Sequence, residues 1–291
     1  VRKAPLLIGF AAFLGLAATA ARGDEPLPAS IPDLLGARAL AMSAYRGIAA
    51  GNDGIFTNAA SLAARRRYAI ETLWFVDRAG NDTSMQVLGG SVVDSETTSV
   101  TGGFSYNRVL SGPWQGNLFH LVVAFPLSQG FYLGGTAKYQ SLDGPGGDHM
   151  GAANADASAF WQAGSLIAIG VSGYNLVSAG HKQLQPRQLG GGISIGDERR
   201  FHLAGDVRAD FDRQPKTTYL YAVGGELLLG DLVPVRAGFM DDETRNGTFF
   251  SLGAGIVLSN GIAIDVAYRQ SIERSSDRTI SAALKLFVFS G

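Results

Sequence analysis

The sequence predicts an all-β protein, a transmembrane antiparallel β-barrel of about fourteen strands. Three observations carry that expectation. First, segments of about ten residues alternate strictly between apolar and polar side chains. FYLGGTAKYQ sets Phe131, Leu133, Gly135, Ala137 and Tyr139 against Thr136, Lys138 and Gln140. RFHLAGDVRAD sets Phe201, Leu203, Gly205, Val207 and Ala209 against His202, Asp206, Arg208 and Asp210. GIAIDVAYRQ sets Ile262, Ile264, Val266 and Tyr268 against Asp265 and Arg269. Second, 46% of the residues are hydrophobic and only 17% are charged. A soluble sandwich also alternates, but it needs far more charge to cover its solvent face. Third, the chain carries 39 glycines, well above the usual proportion of roughly 7%. Glycine is costly inside helices and suits tight turns and crowded strands.

The elements follow in order. The chain opens VRKAPLLIGFAAFLGLAATAARGDEP. Arg2 and Lys3 form a basic start, Leu6 to Ala18 an apolar run, and Ala18-Thr19-Ala20 a small-x-small cleavage site. Residues 1–20 thus read as a secretory signal peptide. The apolar run is too short for a comfortable span of roughly 20 residues. Of the 24 Lys and Arg, two lie in this leader; the remaining 22 face 25 acidic residues, a net charge of −3. Nucleic acid is therefore an unsuitable partner. There is no cysteine, so disulfides, thiolate metal sites and a cysteine-linked lipid anchor are excluded. Beyond the leader no run of 18 apolar residues exists, so no helical span is expected.

Alternating segments are expected near 67–77, 83–93, 98–109, 117–127, 131–141, 157–163 and 165–174. Seven more follow near 187–195, 199–210, 217–229, 232–241, 247–258, 261–272 and 278–289. Turn chemistry separates them: Ala79-Gly80-Asn81-Asp82, Gly112-Pro113, Gly196-Asp197, Gly230-Asp231 and Asn260-Gly261. The longest loop is expected over LDGPGGDHMGAANAD, 142–156. Closure is required, because an open edge in lipid leaves backbone groups unpaired. An even strand number returns both ends to one side. The last segment, TISAALKLFVF, places Phe287 and Phe289 near the carboxyl end, and Lys285 shares their parity.

Motifs for chemistry are sparse. GISIG, Gly192 to Gly196, matches a nucleophile elbow centred on Ser194, but a strand rather than a helix is expected after it. His120, His149, His181 and His202 are scattered, without metal-ligand spacing. Asp241-Asp242-Glu243 is an acidic turn, a solvated loop or a site for divalent or lipopolysaccharide-bound cations. No phosphate-loop or dinucleotide fingerprint is present. No catalytic residue, metal or cofactor is therefore assigned. Glu226, Arg236 and Asp265 share the polar parity of adjacent or near-adjacent segments. Inside a barrel they form either a charge network that glues strands together or a polar constriction.

The stretch AYRGIAAGNDGIFTNAASLA, 44–63, resembles the amino-terminal signature of the FadL-type and PorV-type outer-membrane barrels. That signature runs approximately A-Y-x-A-x-A-D-D-x-x-A-x-x-x-N-P-A-G-L-A. This chain follows it without a gap through Ala44-Tyr45, Ala49, Ile55-Phe56, Asn58, Ala60 and Leu62-Ala63. It departs with Ala59 for Pro, Ser61 for Gly and Ala50-Gly51 for the acidic pair. IAIGVSGYNL, PRQLGGGIS, VGGELLLG, VPVRAGF and IDVAY resemble later strands of the PorV-type branch. The resemblance implies an internal plug, here residues 21–66 with Asn58, Ala59 and Ala60 as its motif, ahead of a barrel over 67–291. It also implies the bacterial outer membrane, with lipid and lipopolysaccharide as surroundings. Two functions follow from it. One is transport of a hydrophobic small molecule across that membrane. The other is a non-transporting scaffold for envelope proteins. FadL-type transporters carry longer loops than this chain allows.

Overall fold

Period-two alternation becomes a closed wall in the computed structural model. It describes residues 36–49, 51–79, 83–177, 182, 184–197, 200–258 and 261–288. The expected signal peptide and Phe289 lie outside the described residues. Fourteen strands form the wall: β1 (Tyr68–Ala79), β2 (Thr83–Asp94), β3 (Thr101–Ser111), β4 (Trp114–Ser128), β5 (Phe131–Asp143), β6 (His149–Ala163) and β7 (Ile167–Tyr174). They continue with β8 (Gln188–Asp197), β9 (Phe201–Asp210), β10 (Thr218–Leu229), β11 (Val233–Asp242), β12 (Gly247–Val257), β13 (Ile262–Ser271) and β14 (Arg278–Val288). Every strand pairs antiparallel with its chain neighbours, and β1 pairs with β14 from Tyr68↔Val288 to Arg78↔Arg278, which closes the barrel. Closure satisfies the ladder groups of both end strands, as a wall in hydrocarbon must.

Both ends of the wall's chain, Tyr68 and Val288, lie at one rim, here the near rim. The hairpins β4–β5 and β10–β11 turn there in two and three residues. Gly230 and Asp231 supply the positive φ values, 59° and 56°, that a tight hairpin turn needs. The distal rim carries the longest connection, 175–187, between β7 and β8.

Two expectations need correction. The 142–156 stretch is mostly strand, and only 144–148 connects β5 to β6. Small residues had suggested a loop, but Met150, Ala152 and Asn154 alternate inward and are buried. The gap expected between the third and fourth segments also closes. Gly112, at φ 57°, lets β3 and β4 run up to a two-residue turn.

The wall sorts side chains as the alternation implies. Leu203, Ile264 and Val266 are 59%, 50% and 51% exposed on the outer face. Phe201 and Val207 join them there, and Ile262 is half-buried. Asp206, Arg208, Asp265 and Arg269 face inward and are buried. On β14, Lys285 takes the inward parity with Thr279, Ser281 and Ala283, and Phe287 shares it half-buried.

Candidate functional site in the barrel lumen

The segment ahead of β1 meets the inward face of the wall. Helix α1 (Ala37–Met42) has the sequence ARALAM, all good helix formers. Its Ala37, Ala39, Leu40, Ala41 and Met42 are all buried, so it is covered nearly all round. It packs on Ala204, Leu220, Ala222, Met240, Phe249, Ala267 and Ala283. Close approach needs glycine: a Cβ at Gly224 would lie 1.8 Å from the Met42 carbonyl oxygen. The second helix, α2 (Gly54–Thr57), runs through Asn58 into a 3-10 turn over Ala59–Ala64.

Beyond α1 the segment is held by wall polar groups. The Asp206 carboxylate accepts the backbone N–H groups of Tyr45 (2.9 Å) and Arg46 (3.1 Å) and pairs with the Arg46 guanidinium at 3.2 Å. Arg46 Nε donates to the Tyr174 hydroxyl at 3.0 Å, and that hydroxyl donates to the Thr57 carbonyl. Asn58 Nδ2 donates to the Arg46 carbonyl (3.3 Å) and the Ala159 carbonyl (3.1 Å). The Ala60 N–H reaches Ser158 Oγ at 3.0 Å, and a Cβ at Gly134 would lie 2.4 Å from the Ala60 nitrogen. Ala59 is buried with Ile55, Leu62, Val93 and Val122.

Glu226, Arg236 and Asp265 come together. Arg236 Nε contacts Glu226 at 2.5 Å and its Nη1 contacts Asp265 at 2.5 Å. The chain of charge extends at both ends. Arg38 of α1 grips Glu226 with two bonds, 2.7 and 3.1 Å. Lys285 reaches Asp265 at 3.0 Å and Glu71 at 3.8 Å. Three cations thus alternate with three carboxylates near the near rim, across β10, β11, β13, β14 and β1. Such balance offsets the cost of desolvating each charge. Sequence parity marked the central three groups. Arg38 was missed because 188 residues separate it from Glu226.

The distal half differs. Leu73, Phe75, Met85, Val87, Val109, Trp114, Leu118, Leu142 and Met150 face inward from β1 to β6 and form one apolar cluster. Leu184, from the 175–187 connection, packs into it, and Phe56 of α2 packs against it. This apolar lumen wall was missed. The signal was present: Leu73 and Phe75 of β1 and Met85 and Val87 of β2 are apolar on the parity opposite the outward Trp74 and Leu88, which a water-filled pore would not need.

The other sequence candidates do not assemble into sites. Ser194 donates to the Gly47 carbonyl at 2.6 Å, and strand β9 follows β8 where an elbow needs a helix. The acidic turn diverges. Asp242 faces Arg208 at 4.0 Å, Asp241 accepts from Thr248 Oγ1 at 3.1 Å, and Glu243 caps the Tyr219 N–H at 2.8 Å. Among the described residues no group of three His, Asp or Glu side chains converges for a metal. His120 sits edge-on to Phe56, ring centroids 5.0 Å apart, with Ser105 Oγ 3.2 Å from its Nδ1.

A closed fourteen-strand antiparallel barrel defines a class of fold. Known structures share that fold. The toluene transporter TbuX of Ralstonia pickettii matches with a TM-score of 0.67 at 12% identity, over 88% of this chain and 98% of TbuX. The monoaromatic hydrocarbon channel CymD matches at 0.66 and 14% identity, over 88% of this chain and 98% of CymD. A FadL homologue of Pseudomonas aeruginosa matches at 0.64 and 13% identity, over 90% of this chain and 99% of that protein. These are transporters and channels, not enzymes. The chain has a FadL-like fold; the likeness adds nothing for the PorV-type branch. No protein-family model and no curated protein matches the sequence.

Proposed function

We propose that this protein sits in a bacterial outer membrane and passes a hydrophobic small molecule through its lumen. The observation that carries the proposal is the apolar cluster on the distal lumen wall, from Leu73 and Phe75 to Leu142 and Met150. Leu184 and Phe56 close this cluster; once they move aside it offers a hydrophobic solute a place to leave water, which a water channel does not need. The outer face supports the membrane reading. Its exposed Leu, Ile, Val and aromatic side chains would be costly in water and are suited to hydrocarbon. The near rim, with its short turns, faces the periplasm, and the distal rim faces outward.

In this reading residues 44–63, with α1 before them, are a plug. Asn58, Ala59 and Ala60 hold it to β5 and β6, and Arg38 ties it to Glu226, Arg236 and Asp265. Passage requires the segment to shift or to leave a gap beside it. Tight packing also suits a non-transporting scaffold of an envelope complex, with Ala37, Leu40 and Met42 fully covered.

Uptake separates the two readings. Cells lacking their own hydrocarbon channels, given this protein, are expected to take up toluene faster than the same cells with an unrelated barrel of equal abundance. Trp114→Ala and Leu118→Ala, compared at equal amounts of folded barrel, are expected to change the uptake rate. Equal uptake with and without the protein would defeat transport and favour the scaffold.

A further inference from the structure

We propose that Arg78 and Arg278 form a clamp for a phosphate of lipopolysaccharide, the glycolipid of the outer leaflet, on the outer wall at the distal rim. The inference rests on the membrane orientation proposed above. Arg78 and Arg278 are register partners across the β1–β14 seam, so their Cβ atoms stand about 4.5–5.5 Å apart. Both are exposed and share the outward parity of Trp74 on β1 and Ile280 on β14. Two like charges placed directly opposite each other destabilise a sheet unless an anion lies between them.

No acidic group of the protein supplies that anion among the described residues. The carboxylates next in the chain face inward and are taken. Asp77 pairs with Arg245 at 3.3 Å and accepts from Thr279. Asp277 pairs with Arg274 at 2.8 Å. The register sets neutral polar residues on either side, in the row Gln270–Arg278–Arg78–Ser84 across β13, β14, β1 and β2. The Tyr268 hydroxyl donates to Gln270 Oε1, which leaves the Gln270 amide N–H groups to donate outward. Two guanidinium forks flanked by an amide and a hydroxyl match the acceptor geometry of a phosphate.

The wall beneath suits the acyl part of the same molecule. Two register steps below the arginines runs the row Val266–Ala282–Trp74–Leu88. Val266, Trp74 and Leu88 are exposed and apolar, and Ile280 and Val76 stand between this row and the arginines, so the wall below the clamp is apolar. A phosphate above an apolar wall is the arrangement of a lipid. At the distal rim the lipid is the glycolipid of the outer leaflet, because phospholipid fills the leaflet at the other rim.

The test is native mass spectrometry of the full chain, folded in detergent. The probes are diphosphorylated lipid A, its dephosphorylated form and phosphatidylglycerol. The wild type is expected to retain diphosphorylated lipid A best. R78Q/R278Q is expected to weaken that retention by roughly tenfold or more and to leave the dephosphorylated form unchanged. Arg78→Lys keeps the charge and loses the fork, so a smaller weakening is expected; it carries the test if the double variant does not fold. Retention of diphosphorylated lipid A unchanged by these variants would overturn the clamp. Equal retention of phosphatidylglycerol by the wild type would overturn the assignment to glycolipid. Insertion of the wild type into phospholipid vesicles is read separately. A chain that does not insert defeats the membrane reading and the clamp with it, whereas an inserted chain that ignores the arginines defeats the clamp alone.

Discussion

Asp206 holds Arg46 by backbone and side chain at once, accepting its N–H at 3.1 Å and its guanidinium at 3.2 Å. Both side chains are almost wholly buried. Removing one partner strands the other charge in the lumen. Asp206→Asn is therefore expected to destabilise the folded barrel by about 3–5 kcal/mol. Urea unfolding in detergent measures it, and a loss below about 1 kcal/mol would show that the contact does not hold the segment.

The segment's placement makes position 60 a direct reporter. Ala60 is buried, its N–H on Ser158 Oγ. With no native cysteine, Ala60→Cys is expected to react slowly with a bulky thiol reagent in the folded protein and fast after unfolding. Asn58→Ala is expected to cost about 1–3 kcal/mol or to raise leakage of small solutes. Rapid labelling at 60, with no effect of Asn58→Ala, would reject the plug.

Outer-face register can be read by charge. Val266 lies mid-strand in β13 and is exposed. Val266→Arg is expected to cost roughly 2–4 kcal/mol on folding into a bilayer, with less for Ile264→Arg nearer the rim. Equilibrium folding into vesicles gives both values, and no cost at either position would mean that this face does not meet lipid.

At the distal rim, Arg187 donates to Asp212 through Nε, Nη2 and its backbone N–H, at 2.8, 2.9 and 2.9 Å. The side-chain bonds from Arg187 hold the Asp212 carboxyl down, to about 2 from an ordinary 3.8. A depressed carboxylate stabilises the folded loop above its unfolded pKa, and that contribution fades as pH falls from near 4 through 2. Protection against hydrogen exchange in the 211–217 loop, taken relative to the intrinsic rate at each pH, is expected to fall between pH 4 and pH 2. Asp212→Asn should remove that pH dependence; the same loss of protection in the variant would assign it elsewhere.

Much of the wall was legible because strand alternation is local. Phe201, Leu203, Val207, Ile264 and Val266 lie outward where period two put them, and Asp206, Asp265 and Arg269 lie inward. Local reading failed where composition imitated a loop. Gly151 to Asp156 is small and polar, yet it forms part of β6 because β5 supplies its ladder, from Ser141↔Gly151 to Thr136↔Asp156.

The sequence by itself determined the period, the approximate strand number and the parity of Glu226, Arg236 and Asp265. It could do so because each depends on neighbours a few residues away. Only the tertiary structure decided who meets whom. Arg38 finds Glu226, Arg46 finds Asp206 across 160 residues, and Arg78 faces Arg278 only because the first strand closes on the last. The physical reason is closure: a barrel's register around its circumference fixes those pairings together, and no local pattern carries it.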